Sequence, residues 1–416
     1  MLKTVFNRKD IILPSNIITC KEFRDDWNEG VNMTAKQTQD VSDNNPIDIN
    51  PSNVFNADNN ELFEVAVVDN DGNVAYASDV RTVACGKYHT VIIKDDNSVW
   101  VIGYNGFGQL GLGDTYNRYE FTNTGVTAKQ VACGWYHTVI IRDDDSVWVT
   151  GYNGSSQLGL GDINKRIQFT NTGMTAKYVA CGAWHTVIIR EDNSVWGTGD
   201  NNHSQLGVGD TNNRYQFTNI GITAKFVACG YAHTVIIKDD GSVWSTGANS
   251  SGQLGLGDTN NRNQFTDTGM VAEYVACGDV HTVIIKDDNS VWTTGNNRYG
   301  QLGLQDITER YRFINTGITA RYAACGGAHT VIVKEDGSVW TTGRNNYGQL
   351  GLGDKIDRYE FTNTGMTAKS VVCGTYHTII IRNDNSVWTT GRNNYSQLGL
   401  SDTIGRCKFT DAGIIL

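Results

Sequence analysis

Cysteine and histidine are good metal ligands, and this chain writes them as Cys-Gly-x-x-His seven times: Cys85 with His89, Cys133 with His137, Cys181 with His185, Cys229 with His233, Cys277 with His281, Cys325 with His329 and Cys373 with His377. Each copy supplies two ligands where a structural zinc site takes four, and no Cys-x-x-Cys stands nearby. The pairs are expected to be structural, with a small buried thiol near an axis and a histidine tying its turn to a backbone carbonyl. The run Gln109-Leu-Gly-Leu-Gly-Asp114 is rich enough in glycine to cradle a phosphate. It lacks the Lys-Ser/Thr ending of a phosphate loop, and no helix follows. Its glycines suit tight turns, and Leu110 and Leu112 suit a core. Asp114 and Arg118 recur together down to Asp402 and Arg406, and read as an ion pair that orders the loop. Asp69 to Asn73 begins like a calcium loop, but its twelfth position is Val80 where a glutamate is needed, so it reads as a hairpin turn. Ser, His and Asp are plentiful, yet every copy sits in the same frame and no copy holds an odd nucleophile, base and acid. No metal, cofactor or covalent chemistry is expected.

The elements that position these residues follow from their period. The seven cysteines, the seven histidines and the tryptophans Trp100, Trp148, Trp196, Trp244, Trp292, Trp340 and Trp388 each step by 48 residues, and the array fills residues 81–416 without an insertion. Within a copy, "YVACG" and "HTVII" are short β-branched runs, and "RDDDS" or "KDDGS" is hairpin chemistry leading into "VWVTG". After the glycine-rich loop, "YEFTNTG" supplies a fourth strand. No segment has helical periodicity. The expected fold is all-β: a seven-bladed propeller with four antiparallel strands per blade.

The repeat V-A-C-G-x-x-H-T-V-x-I followed by G-Q-L-G-L-G-D resembles that of the regulator of chromosome condensation family of seven-bladed propellers, over all seven units. The units here are shorter and more uniform than is usual there. Phe121, Phe169, Phe217, Phe265, Phe313, Phe361 and Phe409 stand near the place where that family often has proline. No unit carries the inserted β-wedge that the family's nucleotide-exchange member uses against its GTPase. The resemblance implies a binding propeller and, as an alternative, guanine-nucleotide exchange on a Ran-like small GTPase.

Letters fixed in every copy serve the blade, and letters that change serve whatever differs around the ring. The two before each histidine change most, and they fall on the turn between the first and second strands. That turn shares a face with the connection between the third and fourth strands. One face should therefore gather Tyr88, Trp135, Tyr136, Trp184, Tyr231, Asp279 and Tyr376, a composition suited to a binding hot spot. A second variable site, in blades five to seven, holds Arg298, Tyr299, Arg344, Tyr347, Arg392 and Tyr395. Guanidinium groups among rings could hold phosphates, single-stranded nucleic acid or an acidic protein on the rim.

Composition sets the outer limits. A formal charge of −10 argues against a general nucleic-acid binder and leaves only a local basic patch for that role. No apolar run approaches the roughly 18 residues of a membrane span. The opening "MLKTVFNRKDIILPSN" has charges where a signal peptide needs apolar residues, so an intracellular protein, in cytoplasm or nucleus, is expected. Residues 1–60 are polar, contain all three prolines and read as a flexible or partly docked arm. "GVNMTAK" in this arm echoes the propeller's own "GMTAK", which suggests docking on the ring or on a second copy. Residues 61–80 read as an extra hairpin. The leading expectation is a non-enzymatic scaffold that binds a protein partner. A self-assembling architectural component, as in a virus particle, is a further alternative.

Overall fold

The computed structural model describes residues 82–416 and the strand pairs Asp10–Leu13 with Asn16–Thr19 and Val67–Val68 with Val74–Ala75. The chain divides into two units, residues 1–80 and 81–416. Apart from those strands, the proposed arm lies outside the described residues, and so does its "GVNMTAK" echo.

Residues 82–416 form seven four-stranded antiparallel sheets, each made of four consecutive strands. The first comprises Val83–Cys85, His89–Ile93, Ser98–Gly103 and Arg118–Thr127. The last comprises Ser370–Cys373, His377–Ile381, Ser386–Gly391 and Arg406–Ile415. This is the seven-bladed propeller that the 48-residue period predicts. The second strand of every blade is buried at all five positions, because a neighbouring blade covers each of its faces. That double burial is why "HTVII" reads as a continuous apolar run with no alternation. The outer strand alternates between half-buried and exposed over its last six residues, as an edge with one covered face should.

Each hydrophobic cluster spans two blades. Val91, Ile93, Val99, Val101 and Leu110 of the first blade pack on Val131, Ile140 and Phe169 of the second. Leu110 and its equivalents are fully buried, as a core role requires. The ring closes the same way, with Ile379, Ile381, Val387 and Leu416 of blade seven packed on Val83 and Ile92 of blade one.

The hairpins between second and third strands lie on the face opposite the variable turns. There the indole N–H of Trp100 donates to Ser98 Oγ at 2.9 Å, and Lys94 lies 4.0 Å from the ring centroid. The same arrangement recurs at Trp244 with Ser242 and Lys238. The tryptophan column therefore orders its own hairpin. In all seven loops the Asp–Arg ion pair forms, from Asp114–Arg118 to Asp402–Arg406.

The closing junction is sparser than the other six. A β-bridge joins Leu112 to Gln168 of the next blade, and equivalents run to Leu352 with Lys408, but Leu400 and Glu120 form none. Thr150 donates across its junction to the carbonyl of Gly108, as do its equivalents down to Thr390, whereas the first blade has Ile102 at that place.

Candidate functional site

The variable turn is positioned by the strands on either side of it. Thr138 faces Cys133 across the inner pair, and His137 faces Gly151 across the next. The letters between cysteine and histidine are thereby set at the end of the ring axis. Between Gly86 and the histidine there is little freedom. A β-carbon on Gly86 would lie 2.1 Å from His89 Cε1 and 2.6 Å from the carbonyl oxygen of Gly134 in the next blade.

The histidines do not tie their turns to a backbone carbonyl as expected. His89 Nε2 lies 3.1 Å from Thr138 Oγ1 in the following blade, and that hydroxyl donates to the carbonyl of Gln109 at 2.7 Å. The threonine proton is used, so the histidine must be the donor through Nε2. Nδ1 has no partner and stays unprotonated. Burial holds His89 neutral, with its pKa lowered to about 3. The correction has a simple physical reason: in a ring of blades the nearest polar group is on the next blade. The seven cysteines line the channel, and burial raises the thiol pKa, for Cys373 to about 12. No disulfide joins them. Among the described residues no group of His, Cys, Asp or Glu is arranged to hold a metal ion.

The channel cavity is about 70 Å³, room for a few waters only. Any larger ligand must meet the face around its mouth. The first variable letter of the turn lines that mouth: Trp135, Ala183, Tyr231, Asp279, Gly327 and Thr375. Trp135 and Tyr231 touch across it, with centroids 4.9 Å apart. The second letter lies one step outward, where Tyr136 and Trp184 stand 5.6 Å apart and Tyr88 and Tyr376 6.2 Å apart. All of these rings are half-buried.

Asp279 interrupts the aromatic series at the mouth. The Trp135 indole N–H donates to its carboxylate, while enclosure among the turns raises its pKa to about 6. Its side chain keeps some surface at the mouth, so the penalty is smaller than for a fully enclosed acid. Lys87, from the equivalent turn of blade one, holds its ammonium 3.7 Å from the Trp135 centroid and interacts with Asp279 electrostatically.

The structure merges the two sites that the sequence separates. Tyr395 packs on Tyr88 at 5.1 Å, and the Arg392 guanidinium lies 5.0 Å from the same ring. Tyr347 packs on Tyr376 at 5.3 Å, and Arg344 lies 4.9 Å from Tyr299. Arg298 does not belong with the other two. It stands two positions later in its loop, is 78% exposed, and faces Glu309 at 3.8 Å. Tyr104, Phe107 and Tyr152 were missed by sequence reasoning, yet they bridge the rings of blades one to three. Tyr104 and Tyr152 occupy the loop position of Arg344 and Arg392, and Phe107 that of Tyr347. The signal was therefore present in the same variable loop.

The chain matches the Regulator of chromosome condensation (RCC1) repeat over residues 80–109, 128–157, 176–205, 224–253, 273–301, 322–349 and 368–397. A second model of the same repeat matches 96–141, 144–189, 240–285, 288–333 and 336–381. A segment of 63 residues, 14% of this chain, is 36% identical to Protein FMP25, mitochondrial, of Saccharomyces cerevisiae, and spans 11% of that protein's length. Among solved structures, human WBSCR16 is similar with a TM-score of 0.69 and 22% identity, over 76% of this chain and 94% of that one. Prp20p of Saccharomyces cerevisiae, from a study of its binding properties to Gsp1p and histones, is similar with a TM-score of 0.69 and 17% identity, over 80% and 86% of the two chains. These two likenesses show the fold. The repeat matches, which span most of the propeller, show that the chain belongs to the regulator of chromosome condensation (RCC1) repeat family.

Proposed function

We propose that the propeller is a protein-binding module that takes its partner on the aromatic face around the channel mouth and catalyses no covalent reaction. One observation carries this reading. Eleven rings, from Tyr347 and Tyr376 through Tyr88 and Tyr136 to Trp135 and Tyr231, form one continuous half-buried patch across neighbouring blades. A cap over so narrow a channel needs only the mouth residues. A patch of this extent has the composition of a binding hot spot, rich in Trp, Tyr and Arg. The invariant positions are by contrast occupied in holding the blades together.

The test is affinity capture with the full chain, in parallel with Trp184→Ala and with Trp244→Phe on the opposite face. A partner retained by the parent and by Trp244→Phe, but lost by Trp184→Ala, supports the reading. A partner lost only with Trp244→Phe moves the site to the hairpin face and sinks it. Exchange on a Ran-like GTPase is the second reading, supported by the fold shared with Prp20p and the Gsp1p binding that its study names. Accelerated release of a fluorescent guanine nucleotide from such a GTPase would put that reading first.

A further inference from the structure

Arg344 and Arg392 are unusual among the arginines of this face. Neither has a carboxylate at ion-pair distance among the described residues, whereas Arg298 faces Glu309 and the loop arginines have their aspartates. Arg392 is held among Tyr88, Tyr347 and Tyr376, at 5.0, 5.1 and 5.5 Å from their centroids. Its guanidinium makes one long hydrogen bond, to the Tyr88 hydroxyl at 3.5 Å, and its Nε is buried without a partner among the described residues. Arg344 rests on Tyr299. Lys87 lies 5.5 Å from the Tyr88 centroid and feels the charge of Arg392. Three cations thus stand around one tyrosine cluster, and Asp279 acts electrostatically on Lys87 and on Tyr376. The cluster is a positive island on a chain whose formal charge is −10.

Resting on the reading of this face as protein-binding, we infer that the cluster is an anion seat for an acidic, extended segment of the partner, with Arg344 and Arg392 each taking a carboxylate. A guanidinium already packed among rings loses little freedom when it grips a carboxylate, and its fork suits that group. Tyrosine hydroxyls around it add donors. Nucleic acid is disfavoured, because its recognition needs a basic track along many phosphates, and here three cations stand on a chain of formal charge −10.

The experiment uses the full chain and a short fluorescein-labelled peptide of alternating glutamate and tyrosine, read by fluorescence anisotropy at two salt concentrations. The parent is expected to bind, more weakly at high salt, and Arg344→Gln/Arg392→Gln is expected to bind about tenfold more weakly. Thermal melts of the double variant should remain cooperative, with only the small loss expected of the ring contacts, since neither guanidinium closes an ion pair. Absence of salt-dependent binding by the parent, or equal binding by the double variant, would overturn the inference. So would tighter binding of a labelled oligothymidine. Dimers dissolved by the double substitution would assign the acidic groups to a second copy and would overturn a separate partner. The Trp184→Ala capture is read independently, so the face can stand as a binding surface even if this acidic class fails.

Discussion

His89 donates through Nε2 to Thr138 Oγ1 at 3.1 Å, and the Thr138 hydroxyl donates in turn to the carbonyl of Gln109 at 2.7 Å. Two blades are stapled by three groups, none of them exposed. The relay recurs at every junction and crosses the closure, where His377 meets Thr90 at 3.3 Å and Thr90 donates to Gln397. His137→Phe keeps a ring in place but removes the donor, and is expected to cost about 1–2 kcal/mol in urea unfolding. Thr186→Val orphans both the histidine N–H and the Gln157 carbonyl, and is expected to cost about 2–3 kcal/mol. The double variant should lose less than the sum. Strict additivity would mean that ring and hydroxyl do not interact.

The same histidines set an acid limit on the fold. Burial lowers their pKa from 6.5 to about 3, or about 4 for His233. Their stabilisation is complete above the unfolded value and is lost as pH falls below it, because the unfolded chain takes up protons that the folded chain refuses. Each contributes about 1.4 kcal/mol per pH unit over that window, and the seven together about 10 kcal/mol per pH unit. Against a total of roughly 5–15 kcal/mol, the propeller should unfold cooperatively near pH 5. Circular dichroism across an acid titration checks this. A ring intact at pH 4 would show that the imidazoles ionise in place.

Much of the fold could be read from the 48-residue step, because each blade's four strands are local and their turns carry Asn, Asp and Gly. The polar partners could not. His89 bonds a residue 49 positions on, and a repeat inspected by itself shows a histidine with nothing to hold. Tyr88 and Tyr395 are 307 positions apart and touch only because the ring closes, which is why one surface read as two. Arg298 looked equivalent to Arg344 and Arg392 because its loop has the same letters, but a shift of two positions turns it outward to Glu309.

Two glycines in the second blade should respond differently to the same change. At Gly134 an added β-carbon meets His137 Cε1 at 2.1 Å and the Gly182 carbonyl oxygen at 2.5 Å. The second contact is backbone of the next blade, so relief requires the blades to part, and Gly134→Ala is expected to prevent stable folding. Gly173 has φ +76 and nothing within 4 Å of its would-be β-carbon. Gly173→Ala carries only the left-handed backbone cost, about 1 kcal/mol. Soluble yield and melting temperature of the pair decide this. Comparable losses would show that turn conformation, and not blade spacing, fixes the Cys-Gly step.

Asp279 should act on stability in the opposite sense to the histidines. Enclosure raises its pKa from 3.8 to about 6, against the pull of Lys87 and the Trp135 N–H. The folded state therefore holds its proton more tightly than the unfolded chain does. Stability contributed by the neutral acid is present below about pH 4 and is lost as pH rises through 6. A shift of this size corresponds to about 3 kcal/mol at most, and the surface left at the mouth reduces it to about 1–2 kcal/mol. Asp279→Asn, with nearly the same shape, is expected to stabilise the propeller by that amount at pH 7.5, with the gain shrinking as pH falls below 6. Urea midpoints of both proteins at pH 7.5 and 5.5 give the comparison, and the histidine contribution cancels between them. If Asp279→Asn destabilises at both values, pairing with Lys87 and Trp135 outweighs burial, and the carboxylate is a structural anchor of the mouth.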